Sequence, residues 1–228
     1  MYKKIVQYIE KNIKSEATAE DLASLLSDFK TKFSLSDLIK DILQDDLLCK
    51  QIASRSYFHY NGFDKIIIHE SVMCKLRLHI WWASNVEYKE NIHDHRWNFA
   101  SWIVKGEYIN EIYREDKDWG ELYREYYYKP KKEKQNYALE FVGLTQLRKE
   151  SIEKLEEGKI SLCNIGNLHK VTPLMGINTV TLFLQSSSIL PFARVLNTEN
   201  IIDSDNIQAI SMKADYLSNQ LNKLITIL

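Results

Sequence analysis

The chain has few residues that break regular structure or could cross-link it. Its 228 residues include 7 glycines, 3 prolines and 3 cysteines, and residues 1–61 contain neither glycine nor proline. The cysteines, Cys49, Cys74 and Cys163, are far apart and odd in number. They therefore predict neither a disulfide framework nor a paired-cysteine zinc site, but buried reduced thiols. That usage favours a cytoplasmic protein.

Two classes of partner are disfavoured by what else is missing. No apolar run reaches the roughly 18 residues that a membrane span requires, so no membrane partner is expected. The 30 basic and 31 acidic residues leave a formal net charge of −1. A dedicated nucleic-acid binder usually carries a basic excess, so no nucleic-acid partner is expected either.

The chain is predicted to have helical ends and a β-rich middle. Ile5, Ile9 and Ile13 recur at helical spacing, and residues 1–60 are expected to pack as helices on the remainder. After the Asn61-Gly62 turn, β-branched runs with regular glycine punctuation predict a β-barrel over residues 61–195. Residues 196–228 are expected to form a C-terminal helical segment.

One charged, tyrosine-rich stretch interrupts the predicted barrel. Residues 114–137 contain three consecutive tyrosines and runs of acidic and basic residues. They are interpreted as an excursion between strands, either a solvated loop or a hairpin that laps over the barrel.

Three histidines are the candidate metal ligands. His93 and His95 would point to the same face of a strand, about 7 Å apart. Such a pair alone is a weak indication, because two hydrogen-bonded core or surface histidines would show the same spacing. A third histidine, His169, follows a glycine turn at Gly166, and closure of a barrel could bring it beside the first two.

Two segments resemble the cupin superfamily, and within it the cysteine dioxygenase-like group. The first is the Ile-His-Asp-His of residues 92–95, with Phe99 and Gly106 following. The second is residues 165–171, Ile-Gly-Asn-Leu-His-Lys-Val, followed by the apolar strand 180–186. The resemblance covers about residues 65–190. It implies a cupin-type (double-stranded β-helix) barrel. The predicted fold class is therefore mainly β, with the N-terminal helices and the C-terminal helix expected from the spacing of apolar residues.

The same resemblance implies a cofactor. His93, His95 and His169 would be a three-histidine set on one iron(II) ion, because Phe99 stands where many other cupins place a glutamate. Zinc, nickel, manganese and copper are alternative ions. Three protein ligands leave positions open for substrate and O₂ or water.

Other features of that group are absent. The tyrosine near the iron falls at Gln185, and the cysteine that cross-links to it falls at Ala100. The arginine that binds the substrate carboxylate in that group has no exact counterpart here, and the nearest aligned position is close to Lys65. Free cysteine is therefore not the expected substrate.

Strand alternation selects further candidates. Arg77, His79 and Trp81 share one strand face, which either points inward, where Arg77 could bind a carboxylate, or lies outside under the N-terminal helices. Arg96 is expected on the face opposite the histidines, and His59 in a core or surface role. The predicted catalytic residues are Gln185, Arg77 and His79, and the predicted substrate pocket comprises Lys65, Trp81 and Trp97.

These observations favour an iron(II)-dependent oxygenase. Its partners would be O₂ and a small polar substrate such as an amino acid or a derivative, and it would be a monomer or homodimer. Two alternatives stay open: a non-oxidative zinc or nickel cupin acting as an isomerase or hydrolase, and a ligand-binding cupin without turnover.

Overall fold

Helices flank a body of antiparallel strands in the computed structural model, which describes residues 1–86, 90–131, 136–199 and 204–228. The helices are α1 (Tyr2–Asn12), α2 (Ala19–Lys32), α3 (Leu35–Leu43), α4 (Asp46–Arg55) and α5 (Ala214–Ile225). The strands are β1 (Tyr57–His59), β2 (Phe63–Glu70), β3 (Cys74–Trp81), β4 (Ile92–His93), β5 (Phe99–Lys105), β6 (Glu107–Glu115), β7 (Glu121–Pro130), β8 (Asn136–Glu156), β9 (Ile160–Cys163), β10 (Leu168–Pro173), β11 (Thr179–Ser186), β12 (Ala193–Asn197) and β13 (Ser204–Gln208).

Helices α2, α3 and α4 begin at residues whose side chains cap them. Thr18 and Asp21 form a reciprocal capping box at the start of α2, which satisfies two otherwise unpaired amides. Ser34 and Asp45 accept hydrogen bonds from the first turns of α3 and α4. Among the described residues, no helix has the length and apolar character needed to cross a membrane.

Two antiparallel sheets face one another. The first sheet has the strand order β1-β2-β3-β11-β5-β9, and the second β13-β8-β6-β10-β4-β12-β7, with β7 also paired to β8. The strands from β3 to β6 and from β8 to β12 alternate between the two sheets, and the inner faces of the sheets enclose a cavity. The predicted mainly β barrel with N-terminal helices and a C-terminal helix is confirmed.

The helices cover the outer face of the first sheet. Leu76, Leu78 and Ile80 of β3 are fully buried in one hydrophobic cluster with residues of α1 to α5. Because strand side chains alternate, Arg77, which lies between Leu76 and Leu78, points the other way, into the barrel. The interpretation that placed Arg77 on the outer face is therefore wrong.

The charged excursion is a long hairpin. β7 and β8 pair from Glu121↔Leu147 to Pro130↔Tyr137, and β7 also pairs with β12. The carboxylate of Glu125 accepts two hydrogen bonds from the Arg194 guanidinium across the β7–β12 pair. This segment is therefore not a solvated loop, and opposite charges stabilise the pairing of its strands. Residues 132–135 lie outside the described residues.

The C-terminal segment contains more strand than the pattern predicted. β12 extends to Asn197, and β13 pairs with β8 before α5 begins at Ala214. The first 60 residues likewise end in a strand, β1, which pairs with β2. β1 and β13 are the terminal strands of the two sheets, where they pair with backbone groups of β2 and β8. Pairing of such short strands leaves only a weak periodic signal in the sequence.

Candidate metal centre

A cavity of about 470 Å³ lies between the inner faces of the two sheets. That volume is within the range of small-molecule sites. The first sheet supplies inward-facing residues of β3, β5 and β11, and the second supplies residues of β4, β6, β10 and β12. Much of the wall is aromatic, and the rings of Phe99 and Phe183 stack at 4.3 Å between centroids.

The three predicted histidines meet on this wall. His93 of β4 and His169 of β10 are directly opposite in the strand register, and His95 follows just beyond the end of β4. One ring nitrogen of each lies within 4.8 Å of those of the other two. The closest pair is His95 Nε2 and His169 Nε2, 3.0 Å apart.

Two oxygen acceptors fix the orientation of these rings. His93 Nδ1 lies 3.0 Å from the carbonyl oxygen of Asn91, and His169 Nδ1 lies 3.1 Å from the side-chain oxygen of Asn110. An oxygen acceptor requires the hydrogen to be on Nδ1, which leaves the lone pair on Nε2. The carboxamide of Asn110, two residues along β6 from the cavity-lining Tyr108, was not among the predicted site residues.

The environment favours the neutral imidazoles of His95 and His169. Burial lowers the pKa of His95 well below its usual value, and the neighbouring His93 and His169 lower it further. Burial, with a smaller effect of His93, also lowers the pKa of His169 well below its usual value. Neutral imidazole is the form that binds iron, zinc, nickel and copper.

The donor set fits a divalent transition metal. His169 presents an Nε2 lone pair towards His95 Nε2 at 3.0 Å. Two nitrogens bound at a right angle to one ion, each about 2.1 Å from it, would lie about 3.0 Å apart. The atoms that meet here are nitrogens only, a set suited to iron, zinc, nickel or copper rather than calcium or magnesium.

Most of the predicted pocket residues line the cavity. Lys65, Arg77, His79, Trp81 and Trp97 all face it. Burial lowers the pKa of Arg77 to about 10, so its guanidinium stays charged at neutral pH. Burial, then the nearby charge of Arg77, lowers the pKa of Lys65 well below its usual range.

Gln185 is the exception. It is buried on β11 but is absent from the cavity wall, and it lines a small separate cleft with Ser71 and Lys75. It lies beyond Phe183, whose ring stacks on Phe99 at the cavity wall. Gln185 lies on the same face of β11 as Phe183, but the strand extends past the edge of the cavity.

Arg96 and His59 also differ from expectation, because both line the cavity. β4 ends at His93, so the two-residue alternation used for Arg96 does not hold beyond it. His59 stacks on Phe63 at 4.5 Å between centroids. His69, in contrast, lies outside the cavity wall, with Nε2 2.6 Å from a Glu10 carboxylate oxygen.

A tyrosine from an unexpected strand lines the cavity. The Tyr108 hydroxyl of β6 lies 3.0 Å from the Ser161 hydroxyl, and burial raises the pKa of Tyr108 to about 12. Tyr113 belongs instead to a separate hydrophobic cluster with Ile92 and Leu147. The two tyrosines are an odd number of residues apart on β6, so their side chains point to opposite faces of the strand.

Comparison with known proteins gives only distant likenesses. No family model matches the chain, and no curated protein matches it. An RmlC-like cupin from Shewanella frigidimarina NCIMB 400 has 10% identity and a TM-score of 0.36, with 59% of this chain and 85% of that chain covered. KdgF from a Halomonas species has 11% identity and a TM-score of 0.35, covering 57% and 85%.

A third solved structure is hydroquinone 1,2-dioxygenase from Sphingomonas sp. TTNP3 with 4-hydroxybenzoate bound. It has 10% identity and a TM-score of 0.35, with 57% of this chain and 66% of that chain covered. Likenesses at this distance do not bear on the function of the chain.

Proposed function

We propose that this protein is a mononuclear iron(II)-dependent oxygenase of the cysteine dioxygenase-like cupin group. The observation that carries the proposal is the convergence of three imidazoles from His93, His95 and His169 on the wall of a cavity large enough for an organic substrate. Bound iron(II) would supply the reaction with O₂.

The protein's own groups would orient the ligands and exclude water. Asn91 and Asn110 hold two of the imidazole rings by their Nδ1 hydrogens. Phe99 lies 4.7 Å from His95 and 5.8 Å from His169 between ring centroids, so it covers the histidines with an apolar surface. A site of this kind excludes bulk water from reactive species.

The cavity also offers substrate contacts. Arg77 provides positive charge, Lys65 provides an amine that can donate hydrogen bonds, and His79 has an unpartnered Nε2. The Tyr108 hydroxyl can donate or accept a hydrogen bond at the cavity wall. Gln185 is not carried into the proposal as a catalytic residue, because it lies outside the cavity lining.

Oxygen consumption tests the proposal. The full chain, purified without O₂, would be loaded with iron(II) and mixed with amino-acid and thiol substrates, with O₂ uptake and product formation followed together. Substrate-dependent uptake that His169→Ala abolishes and His69→Ala retains supports the oxygenase. Turnover without uptake in the zinc or nickel form supports a non-oxidative enzyme, and tight binding without any product supports a ligand-binding protein; either contradicts the proposal.

A further inference from the structure

Three basic side chains meet in the cavity without acidic partners. Lys65 of β2, Arg77 of β3 and Arg96, just after β4, all line it. Arg77 is 3% exposed. None of the three makes an ion pair with a carboxylate in the described part of the chain, whereas Arg194, which lies outside the cavity lining, pairs with Glu125. Buried charge is costly unless an opposite charge meets it.

The two arginines flank one indole. The guanidinium carbon of Arg77 is 5.5 Å from the ring centroid of Trp97, and that of Arg96 is 5.1 Å from the same centroid. Three donors of this group, Arg77 Nε, Arg96 Nε and Trp97 Nε1, are buried without a hydrogen-bond partner. Contact with an aromatic face compensates a cation only in part, and it leaves N–H groups free.

The acids of the cavity wall have other partners. Glu90 accepts hydrogen bonds from the Asn61 side-chain amide and, at 2.7 Å, from the Val171 backbone amide. Asp94 accepts one from the Arg194 backbone amide at 2.6 Å. Among the described residues, neither carboxylate forms an ion pair with Arg77 or Arg96, so a ligand can supply the opposite charge at these two guanidinium groups.

We infer that the cavity binds an organic dianion that carries no ammonium group, held by Arg77 and Arg96 with the Trp97 indole N–H as a third donor. The aromatic wall, including Phe99 and Phe183, would pack on its flat apolar part. A single carboxylate would neutralise only one of the arginines, and the ammonium of an amino acid would add another cation beside Lys65. The inference rests on the proposed function, because the same cavity would hold the metal. It narrows the proposed substrate to organic dianions without an ammonium group.

Two anion chemistries share these features, a dicarboxylate and a phosphate monoester. Phthalate and phenyl phosphate each place two charges together on one ring, benzoate places one, and L-phenylalanine adds an ammonium. Calorimetric titration of the full chain, as purified and without O₂, compares the four. At least one dianion is expected to bind about tenfold or more tightly than benzoate, with L-phenylalanine weakest, since charge-assisted hydrogen bonds contribute strongly. Which dianion binds identifies the chemistry.

Arg77→Gln and Arg96→Gln are each expected to weaken dianion binding about tenfold or more. Arg148→Gln, which changes an arginine paired with Asp116 far from the cavity lining, is the matched control and should bind as the wild type does. Arg77→Lys keeps the charge but loses the planar fork. If Arg77→Gln does not fold, two results test the site instead. Arg77→Lys should bind the dianion more weakly than the wild type but by less than tenfold, and Arg96→Gln should weaken dianion binding about tenfold or more.

The inference is overturned if no probe binds, if benzoate or L-phenylalanine equals the dianions, or if neither arginine substitution weakens binding. Its failure is separable from failure of the proposed function. Arginine-dependent dianion binding in a protein without O₂ chemistry would contradict the oxygenase alone, and O₂ chemistry with an amino acid bound independently of Arg77 would contradict the dianion site alone.

Discussion

Replacing Asn110 tests whether the metal site depends on a residue that does not itself touch the metal. The side-chain oxygen of Asn110 lies 3.1 Å from His169 Nδ1, and this contact fixes the hydrogen on Nδ1 and the lone pair on Nε2. Asn110→Leu keeps a similar volume but removes the acceptor. Loss of such a partner typically weakens metal binding about 10- to 100-fold, which corresponds to about 1.4–2.7 kcal/mol.

The assay is competition for iron(II) or zinc against a chelator of known affinity, with the full chain. Asn110→Asp, which restores an oxygen acceptor, should bind within about tenfold of the wild type. Asn222→Leu, on the exposed face of α5, is the control and should not change metal affinity. If Asn110→Leu folds and binds metal as tightly as the wild type, the orientation of His169 does not depend on Asn110 and the reasoning is refuted.

Three further predictions concern stability. Burial holds the pKa values of His59, His79, His95 and His169 well below normal, so the unfolded chain binds more protons than the folded chain below about pH 6.5. The free energy of unfolding of the metal-free protein should therefore decrease as the pH falls from about 6.5 to 5, by up to about 1.4 kcal/mol per pH unit for each histidine. A urea midpoint that does not change with pH would contradict this. Phe29→Ala should lower the free energy of unfolding in urea by about 3–5 kcal/mol, because Phe29 of α2 is 1% exposed and packs against the first sheet. Phe58→Ala should lower it little, because Phe58 is 60% exposed. Equal decreases in the two variants would refute that packing. In the same assay, Gly106→Ala should lower the free energy of unfolding by at least about 2 kcal/mol more than Gly166→Ala. Both glycines have a positive φ, but of the two only Gly106 would place a Cβ against a carbonyl oxygen, that of Asn178 at 2.2 Å.

The sequence was informative where a local rule was sufficient. The helical spacing of Ile5 and Ile9 and the alternation along β3 each depend on neighbours a few residues away. Alternation placed Arg77 on one strand face, but only the helices packed on the opposite face showed that it points inward.

The sequence was least informative where the relevant partner is distant in the chain. Asn110 is identified by its contact with His169, 59 residues away. Arg96 was misplaced because β4 contains only two residues, so the strand rule was applied to a stretch that is not a strand. Gln185 was selected from the resemblance, which aligns a position on β11 but does not give the limits of the cavity. The hairpin of β7 and β8 is stabilised by cross-strand partners that a charge run does not reveal.

The metal content of the full chain is the most direct test of the central claim, that His93, His95 and His169 form one metal site. Elemental analysis after anaerobic purification and iron loading should give one ion per chain. His93→Ala, His95→Ala and His169→Ala should each remove it while leaving the circular dichroism spectrum of a β-rich fold, and His69→Ala, whose ring pairs with Glu10 outside the cavity, should retain it. Full metal occupancy in any of the three site variants, or none in the wild type, would contradict the account.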